Sequence, residues 1–296
     1  MELIDFDTCE VDVSKGVTIF AKVAGKGRPL LLLHGYPQNH MCWNKVAPNL
    51  VEAGYRVIVA DLRGYGASSK PESDATHSPY SKRAMARDQL ALMQELGHER
   101  FLLAGHDRGG RVAHRLAVDH PEAVEKIAVL DIAPTLAMYE GVDQAFATAY
   151  YHWFFLIQPE PLPEKMIGAD PEWFLRRKLN AWARLEGTFT PEAMASYLRD
   201  FKNPQTIHAS CEDYRAAASI DLDHARADIA AGRKIQCPLL SLWGSKGFAA
   251  KSYDMLATWK VVSDSPVSGQ GFECGHFLPE EKPDETTAAL RTFFDQ

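Results

Sequence analysis

Short apolar runs and longer amphipathic stretches alternate through the first 130 residues of the 296-residue chain. The apolar segments at 29–33, 55–60, 101–104 and 124–130 are too short for buried helices, so they predict strands covered on both faces. Residues 9–25 alternate well enough for a strand pair, and Gly25-Lys26-Gly27 turns the chain into the next run. Between the runs, 41–53 and 81–97 read as helices. A third helix begins after residue 107, with Val112, Leu116 and Ala117 on its apolar face and Pro121 as its stop. Strands and helices in this alternation predict a doubly wound, mostly parallel α/β sheet whose site lies at the C-terminal ends of the strands.

The rhythm breaks near Pro134. From there to about Arg233 the chain reads as helical and is dense in aromatics, including Tyr150-Tyr151-His152-Trp153-Phe154-Phe155, Trp173, Trp182 and Tyr214. The strand pattern returns at Pro238-Leu239-Leu240-Ser241-Leu242-Trp243-Gly244, and 279–294 predicts a closing helix. The expected organisation is a core formed by 1–133 and 234–296, with 134–233 inserted after the sixth strand as a helical cap. No internal repeat or low-complexity segment interrupts it.

The chemistry concentrates where the run Phe101-Leu102-Leu103-Ala104 ends in Gly105-His106-Asp107-Arg108-Gly109-Gly110-Arg111. Gly-x-Asp-x-Gly between a strand and a helix is the pattern of a nucleophile elbow, with aspartate where hydrolases usually carry serine. The glycines let the chain turn sharply and leave Asp107 exposed above the sheet. A carboxylate so placed can displace a leaving group from carbon and become an ester that water must release. His34-Gly35-Tyr36-Pro37 follows the 29–33 run, so the amides of Tyr36 and Arg108 are the expected oxyanion donors, and the His34 ring is expected to be structural.

An ester needs a base to activate water. Gly275-His276-Phe277 places a histidine in a loop before the last helix, the chain position of the histidine in a hydrolase triad. The loop after the 238–244 strand, Ser245-Lys246-Gly247-Phe248, offers no acid, so Asp131 at the end of the 124–130 strand is the expected partner of His276. Arg108 and Arg111, three residues apart, are expected to flank Asp107, lower its pKa and suit a carboxylate substrate. The glycine-bearing segment Asp61-Leu62-Arg63-Gly64-Tyr65-Gly66 lacks a phosphate-loop lysine and reads as a tight loop.

Charge and composition narrow the partners. A net charge of −7 with no basic stripe argues against nucleic acid, and no apolar run reaches the length of a membrane span. With an acidic N-terminus, Met1-Glu2-Leu3-Ile4-Asp5-Phe6-Asp7, a soluble, cytoplasmic protein is expected, and five cysteines without metal-ligand spacing read as buried free thiols.

Taken together, Gly105-His106-Asp107-Arg108-Gly109-Gly110-Arg111, His34-Gly35-Tyr36-Pro37, Asp131, Tyr151-His152-Trp153 and Gly275-His276-Phe277 resemble the fluoroacetate (haloacetate) dehalogenases of the α/β-hydrolase superfamily, over nearly the whole chain. The resemblance implies that Asp107 attacks the halogen-bearing carbon of a 2-haloacetate and that His276, oriented by Asp131, hydrolyses the ester. Arg108 and Arg111 match the family's carboxylate clamp, and His152, Trp153 and Tyr214 its halide pocket. Tyr36 and Trp182 are expected in the pocket wall. No metal or cofactor is implied, and a homodimer is. Two alternatives remain open. Epoxide hydrolases share the aspartate elbow and His-Gly-x-Pro, and a ligand-binding protein that has lost catalysis would keep the fold.

Overall fold

The computed structural model describes residues 1–296. Eight strands, β1 (Asp7–Ser14), β2 (Val17–Ala24), β3 (Pro29–Leu33), β4 (Arg56–Ala60), β5 (Phe101–His106), β6 (Val124–Leu130), β7 (Leu239–Gly244) and β8 (Val267–Phe272), form one sheet in the order β1-β2-β4-β3-β5-β6-β7-β8. β1 and β2 pair antiparallel, as do β2 and β4, and every other neighbour is parallel. The period-2 alternation of side chains divides the apolar runs between two faces. Leu31, Leu33, Ile58 and Leu103 enter one core, and Leu30, Leu32, Val57, Val59 and Leu102 the other.

Around the sheet lie α1 (Ala47–Glu52), α2 (Lys82–Glu95) and α3 (Arg108–Asp119). The chain between β6 and β7 carries eight helices, α4 (Thr135–Glu140), α5 (Gln144–Ala149), α6 (His152–Phe155), α7 (Leu162–Gly168), α8 (Pro171–Trp182), α9 (Pro191–Phe201), α10 (Pro204–Ala217) and α11 (Ile220–Ala230), and no strand. After β7 come α12 (Phe248–Ser252), α13 (Met255–Val261), α14 (Leu278–Glu281) and α15 (Pro283–Asp295). Phe146, Trp153, Tyr197 and Tyr214 of the helical insertion share the core cluster of Leu31 and Leu103, so the insertion packs on the same sheet face. No helix is long and apolar enough to cross a membrane.

Three local features differ from the sequence reading. β8 has no apolar run because it is an edge strand, half-exposed along its length. Its two glycines are steric: a Cβ on Gly271 would come within 2.6 Å of Trp243 Nε1 on β7. The expected 41–53 helix is two pieces, a 3₁₀ turn at His40–Trp43 and then α1, with Pro48 in its first turn. The closing helix is likewise broken at Pro283, which starts α15.

The close approach of β5 to α3 sets the sharpness of the elbow between them. A Cβ on Gly105 would lie 2.5 Å from the Gly109 carbonyl carbon and 2.6 Å from Gly110 N, and one on Gly109 would lie 2.6 Å from the Leu33 carbonyl carbon. These neighbours are backbone and cannot rotate away. Gly105→Ala is therefore expected to destabilise the fold by about 3 kcal/mol, read as a lower midpoint of urea unfolding.

Candidate active site

Asp107 follows β5 directly and sits at φ 46°, ψ −115°, a conformation that only the surrounding packing maintains for a residue with a side chain. One carboxylate oxygen is fixed: the Tyr36 backbone N–H donates to Asp107 Oδ1 at 2.9 Å. Gly35 makes room for this, since a Cβ there would fall 2.7 Å from the same oxygen. Arg108 opens α3, so its amide is a first-turn N–H without an intrahelical acceptor beside Asp107. His34 is wholly buried, with Nε2 accepting the Leu62 N–H and Nδ1 directed to the Gly35 carbonyl, a loop-bracing role.

The free oxygen of Asp107 faces His276. Nε2 of His276 lies 3.8 Å from Asp107 Oδ2, and Nδ1 lies 2.6 Å from Asp131 Oδ2. Asp131, at φ 52° just beyond β6, is held through Oδ1 by the Gly244 N–H at 2.9 Å. The loop of His276 is clamped by Glu281, whose carboxylate accepts the backbone N–H groups of Gly275, Phe277 and Arg184. His106 Nε2, 2.8 Å from the His276 carbonyl, fixes it from below, and Trp182 accepts the His276 N–H through its own carbonyl at 3.1 Å. Burial pushes His106 down to about 3, so its ring is neutral and donates from Nε2. Neither Glu281 nor His106 was identified from sequence. His106 lies within the elbow motif and Glu281 four residues beyond Phe277, but only the folded loop shows what they bind.

Charge in this chamber is balanced by position. Burial works against ionised Asp107, but the charges of His276, Arg111 and Arg108 hold its pKa below the usual carboxylate value. Burial likewise opposes protonated His276, yet the hydrogen bond and charge of Asp131, with help from Asp107, raise its pKa above 6.5.

The two arginines are buried and differently held. Arg108 makes a two-pronged ion pair with Asp213 of α10, Nε to Oδ2 at 3.0 Å and Nη2 to Oδ1 at 2.5 Å. Asp213 is completed by Lys82 and by the Tyr65 hydroxyl at 2.7 Å. Arg111 donates to the Ala133 carbonyl at 3.1 Å and to Thr135 Oγ1 at 2.8 Å, and pairs with no carboxylate. Each keeps one buried N–H without an acceptor, Nη1 in Arg108 and Nε in Arg111. Their planes cover aromatic rings: Arg108 lies 4.2 Å from the Tyr214 centroid and Arg111 4.9 Å from that of Trp153.

Those rings belong to an aromatic box above Asp107. His152 stands 5.6 Å from Tyr214, 6.2 Å from Tyr36 and 4.7 Å from Trp182, and Trp153 stands 6.4 Å from Tyr214, all between centroids. Trp182 in turn lies 5.4 Å from His276. Burial, reinforced by Lys178, keeps His152 well below its ordinary pKa, so it is a neutral imidazole, and its Nδ1 is buried without a partner. These contacts link all ten site residues expected from the sequence into one cluster around Asp107. Asp213, Lys82 and Tyr65 complete its charge balance, and no sequence motif pointed to them. No group of three or more His, Cys, Asp or Glu side chains is arranged to hold a metal ion, and all five cysteines are free thiols.

Fold and site together define an α/β hydrolase, and the family model for the alpha/beta hydrolase fold matches residues 28–283. Within that class the chain belongs to the haloacetate dehalogenase family. It is 47% identical to a fluoroacetate dehalogenase from Burkholderia sp, over 97% of this chain and 93% of that one. A soluble epoxide hydrolase from Corynebacterium sp. (strain C12) is 33% identical over 92% of this chain and 91% of its own. Among solved structures, the α/β hydrolase ALR0039 from Nostoc sp PCC 7120 superposes with a TM-score of 0.96 at 54% identity, covering 99% of both chains.

The His276–Asp131 bond has a measurable signature. Because the folded pKa lies above the unfolded value, protonated His276 adds stability that is complete below about pH 6.5 and fades as pH rises through the raised value. Removing the Asp131 charge leaves burial as the main influence. In Asp131→Asn the NMR titration midpoint of the His276 ring is therefore expected to fall from above 6.5 to below it.

Proposed function

We propose that this protein hydrolyses the carbon–halogen bond of 2-haloacetates, fluoroacetate among them, through an ester on Asp107. The observation that carries this reading is the pair of buried, unsatisfied guanidinium N–H groups, Arg108 Nη1 and Arg111 Nε, next to an ionised carboxylate with one free oxygen. A buried donor left unmet costs stability, and a small carboxylate would satisfy both at once.

In this reading the substrate carboxylate sits on the two arginines, which turns its C2 carbon toward Asp107. With Oδ1 anchored by the Tyr36 amide, Oδ2 attacks that carbon. The new C–O bond forms as the carbon–halogen bond breaks, and the halide leaves with the bonding electrons. His152, Trp153 and Tyr214 supply an imidazole N–H, an indole N–H and a phenol O–H to the departing halide. Fluoride needs such help most, because its charge appears only as the bond breaks. Water then adds to the Asp107 ester carbon as His276 Nε2 takes its proton, and Asp131 stabilises the imidazolium. The Tyr36 and Arg108 amides hold the oxyanion that develops on Oδ1. Collapse breaks the bond between the Asp107 carboxyl carbon and the ester oxygen, which leaves as the hydroxyl of the 2-hydroxyacid with the proton that His276 returns; the Asp107 carboxylate reforms as the remaining proton goes to solvent, and a haloacetate gives glycolate.

The epoxide alternative has one observation in its favour, for Tyr150 and Tyr214 flank His152 at 5.6 Å each and both are phenols near Asp107. A neutral epoxide, however, leaves Arg108 Nη1 and Arg111 Nε unmet. The five free thiols support a reducing, cytoplasmic setting. The expected assembly is a homodimer, by family likeness alone.

Two measurements test the reading. His276→Asn incubated with fluoroacetate is expected to accumulate a carboxymethyl ester on Asp107, detected by intact-protein and peptide mass spectrometry. An adduct from an epoxide but from no haloacetate would sink the proposal. Tyr214→Phe, which removes one halide donor worth about 3 kcal/mol, is expected to slow fluoroacetate turnover about a hundredfold and bromoacetate turnover far less. Equal losses on the two substrates would show that Tyr214 does not serve the leaving halide.

A further inference from the structure

Buried cations in this protein follow a pattern with two exceptions. Arg63, Lys82, Arg108, Arg115 and Arg215 are each ion-paired with a carboxylate, Asp88, Asp213, Asp213, Asp228 and Glu164 respectively. Arg111 and Lys178 are equally buried and have no carboxylate partner. Both are instead supported by aromatic faces, Arg111 by Trp153 and Lys178 by Tyr151, whose centroid lies 3.6 Å from Nζ, with Trp182 at 5.1 Å and Phe174 at 5.7 Å. Arg111 belongs to the chamber described above. Lys178 touches that cluster only from outside, through Trp182 and its field on His152, and has no assigned contact with substrate there.

Lys178 lines a cleft of about 290 Å³ that runs past Tyr151 and Trp182 to His276. The charged residues of its wall, besides His276, are Arg177, Lys178, Arg184 and Asp131. Asp131 is spoken for, with one oxygen on His276 and the other on the Gly244 N–H. The passage to the site therefore carries three cations and no free carboxylate, inside low-dielectric walls that focus their field. Burial, and to a lesser degree Arg177, push the Lys178 ammonium down to about 7. An ammonium held this way lacks a counter-ion that an incoming anion would supply, and ring faces leave its N–H donors free.

We propose that Lys178 is the anion-capture residue of this cleft, receiving the carboxylate of a small monocarboxylate before it passes to Arg108 and Arg111, and thereby selecting anionic over neutral substrates. For haloacids the proposal rests on the dehalogenase reading. Trp182 is the shared wall, in contact range of Lys178 on one side and of His152 and His276 on the other. Capture at this point concerns arrival, not the displacement step.

The test compares Lys178→Met and Lys178→Arg with wild type on chloroacetate. Lys178→Met is expected to lose about tenfold or more in kcat/KM, with kcat falling less than about threefold and a flatter dependence of kcat/KM on salt. Lys178→Arg, which keeps the charge, is expected to recover most of the loss. An unchanged kcat/KM, or kcat and kcat/KM falling together, would overturn the proposal. A second measurement does not depend on turnover. In wild type carrying ¹³C-labelled lysine, the Lys178 ε-methylene signal, assigned by its loss in Lys178→Arg, is expected to shift saturably on titration with acetate. If wild type turned over no haloacetate, the dehalogenase reading would fail alone, and this titration would still decide whether Lys178 binds a small carboxylate; an unmoved signal would refute it.

Discussion

The ion pair between Arg108 and Asp213 joins the two halves of the molecule. Arg108 stands in the first turn of α3, on the sheet side, and Asp213 lies 105 residues later on α10 of the helical insertion, with neither exposed to solvent. A buried pair of this kind stands only if its remaining valences are met. Lys82 and Tyr65 meet them from the sheet side, and Lys82 reaches Asp221 of α11 through its own backbone N–H. Burial resists ionisation of Asp213, yet Arg108 and Lys82 hold its carboxyl far below the usual range. The insertion is thus fixed to the core by charge at the same point where Tyr214, the next residue, lies against the Arg108 guanidinium.

This arrangement links binding to position. The residues proposed to hold substrate carboxylate and halide are stacked in pairs, Arg108 on Tyr214 and Arg111 on Trp153. Displacing one member moves the other. Preorganised donors of this sort require no reorganisation as charge moves from carboxylate to leaving halide, which is the condition under which electrostatic stabilisation is largest. The backbone contributes in the same way. Asp107 and Asp131, at the ends of adjacent strands β5 and β6, both adopt positive φ, and each is anchored through Oδ1 by a backbone N–H from a neighbouring loop. The cost of such conformations is borne by packing elsewhere.

Much of the fold was legible because its signals are local. Leu30 to Leu33 read as a strand covered on both faces, and Gly105, Asp107 and Gly109 as a sharp turn, because periodicity and steric demand are properties of a few consecutive residues. β8 escaped notice for a physical reason. An edge strand with glycines at 269 and 271 buries too little apolar surface to leave a pattern. The break at Pro283 was visible as a proline, yet the apolar spacing on either side suggested one helix.

For the site, the reactive groups and their order could be read along the chain: the elbow carboxylate, the acid at the end of β6, the histidine before the last helices, and the two arginines beside the elbow. Their identities follow from motifs and family likeness, which are written along the chain. The surroundings of those groups came from folding alone. It paired Arg108 with Asp213, left Arg111 and Lys178 without counter-ions, put neutral His106 beneath His276, and closed Glu281 over the histidine loop. Burial and charge pairing depend on residues far apart in sequence, so no local pattern encodes them. In this protein they set the protonation states of Asp107, His276 and His152 and leave free donors on Arg108 and Arg111.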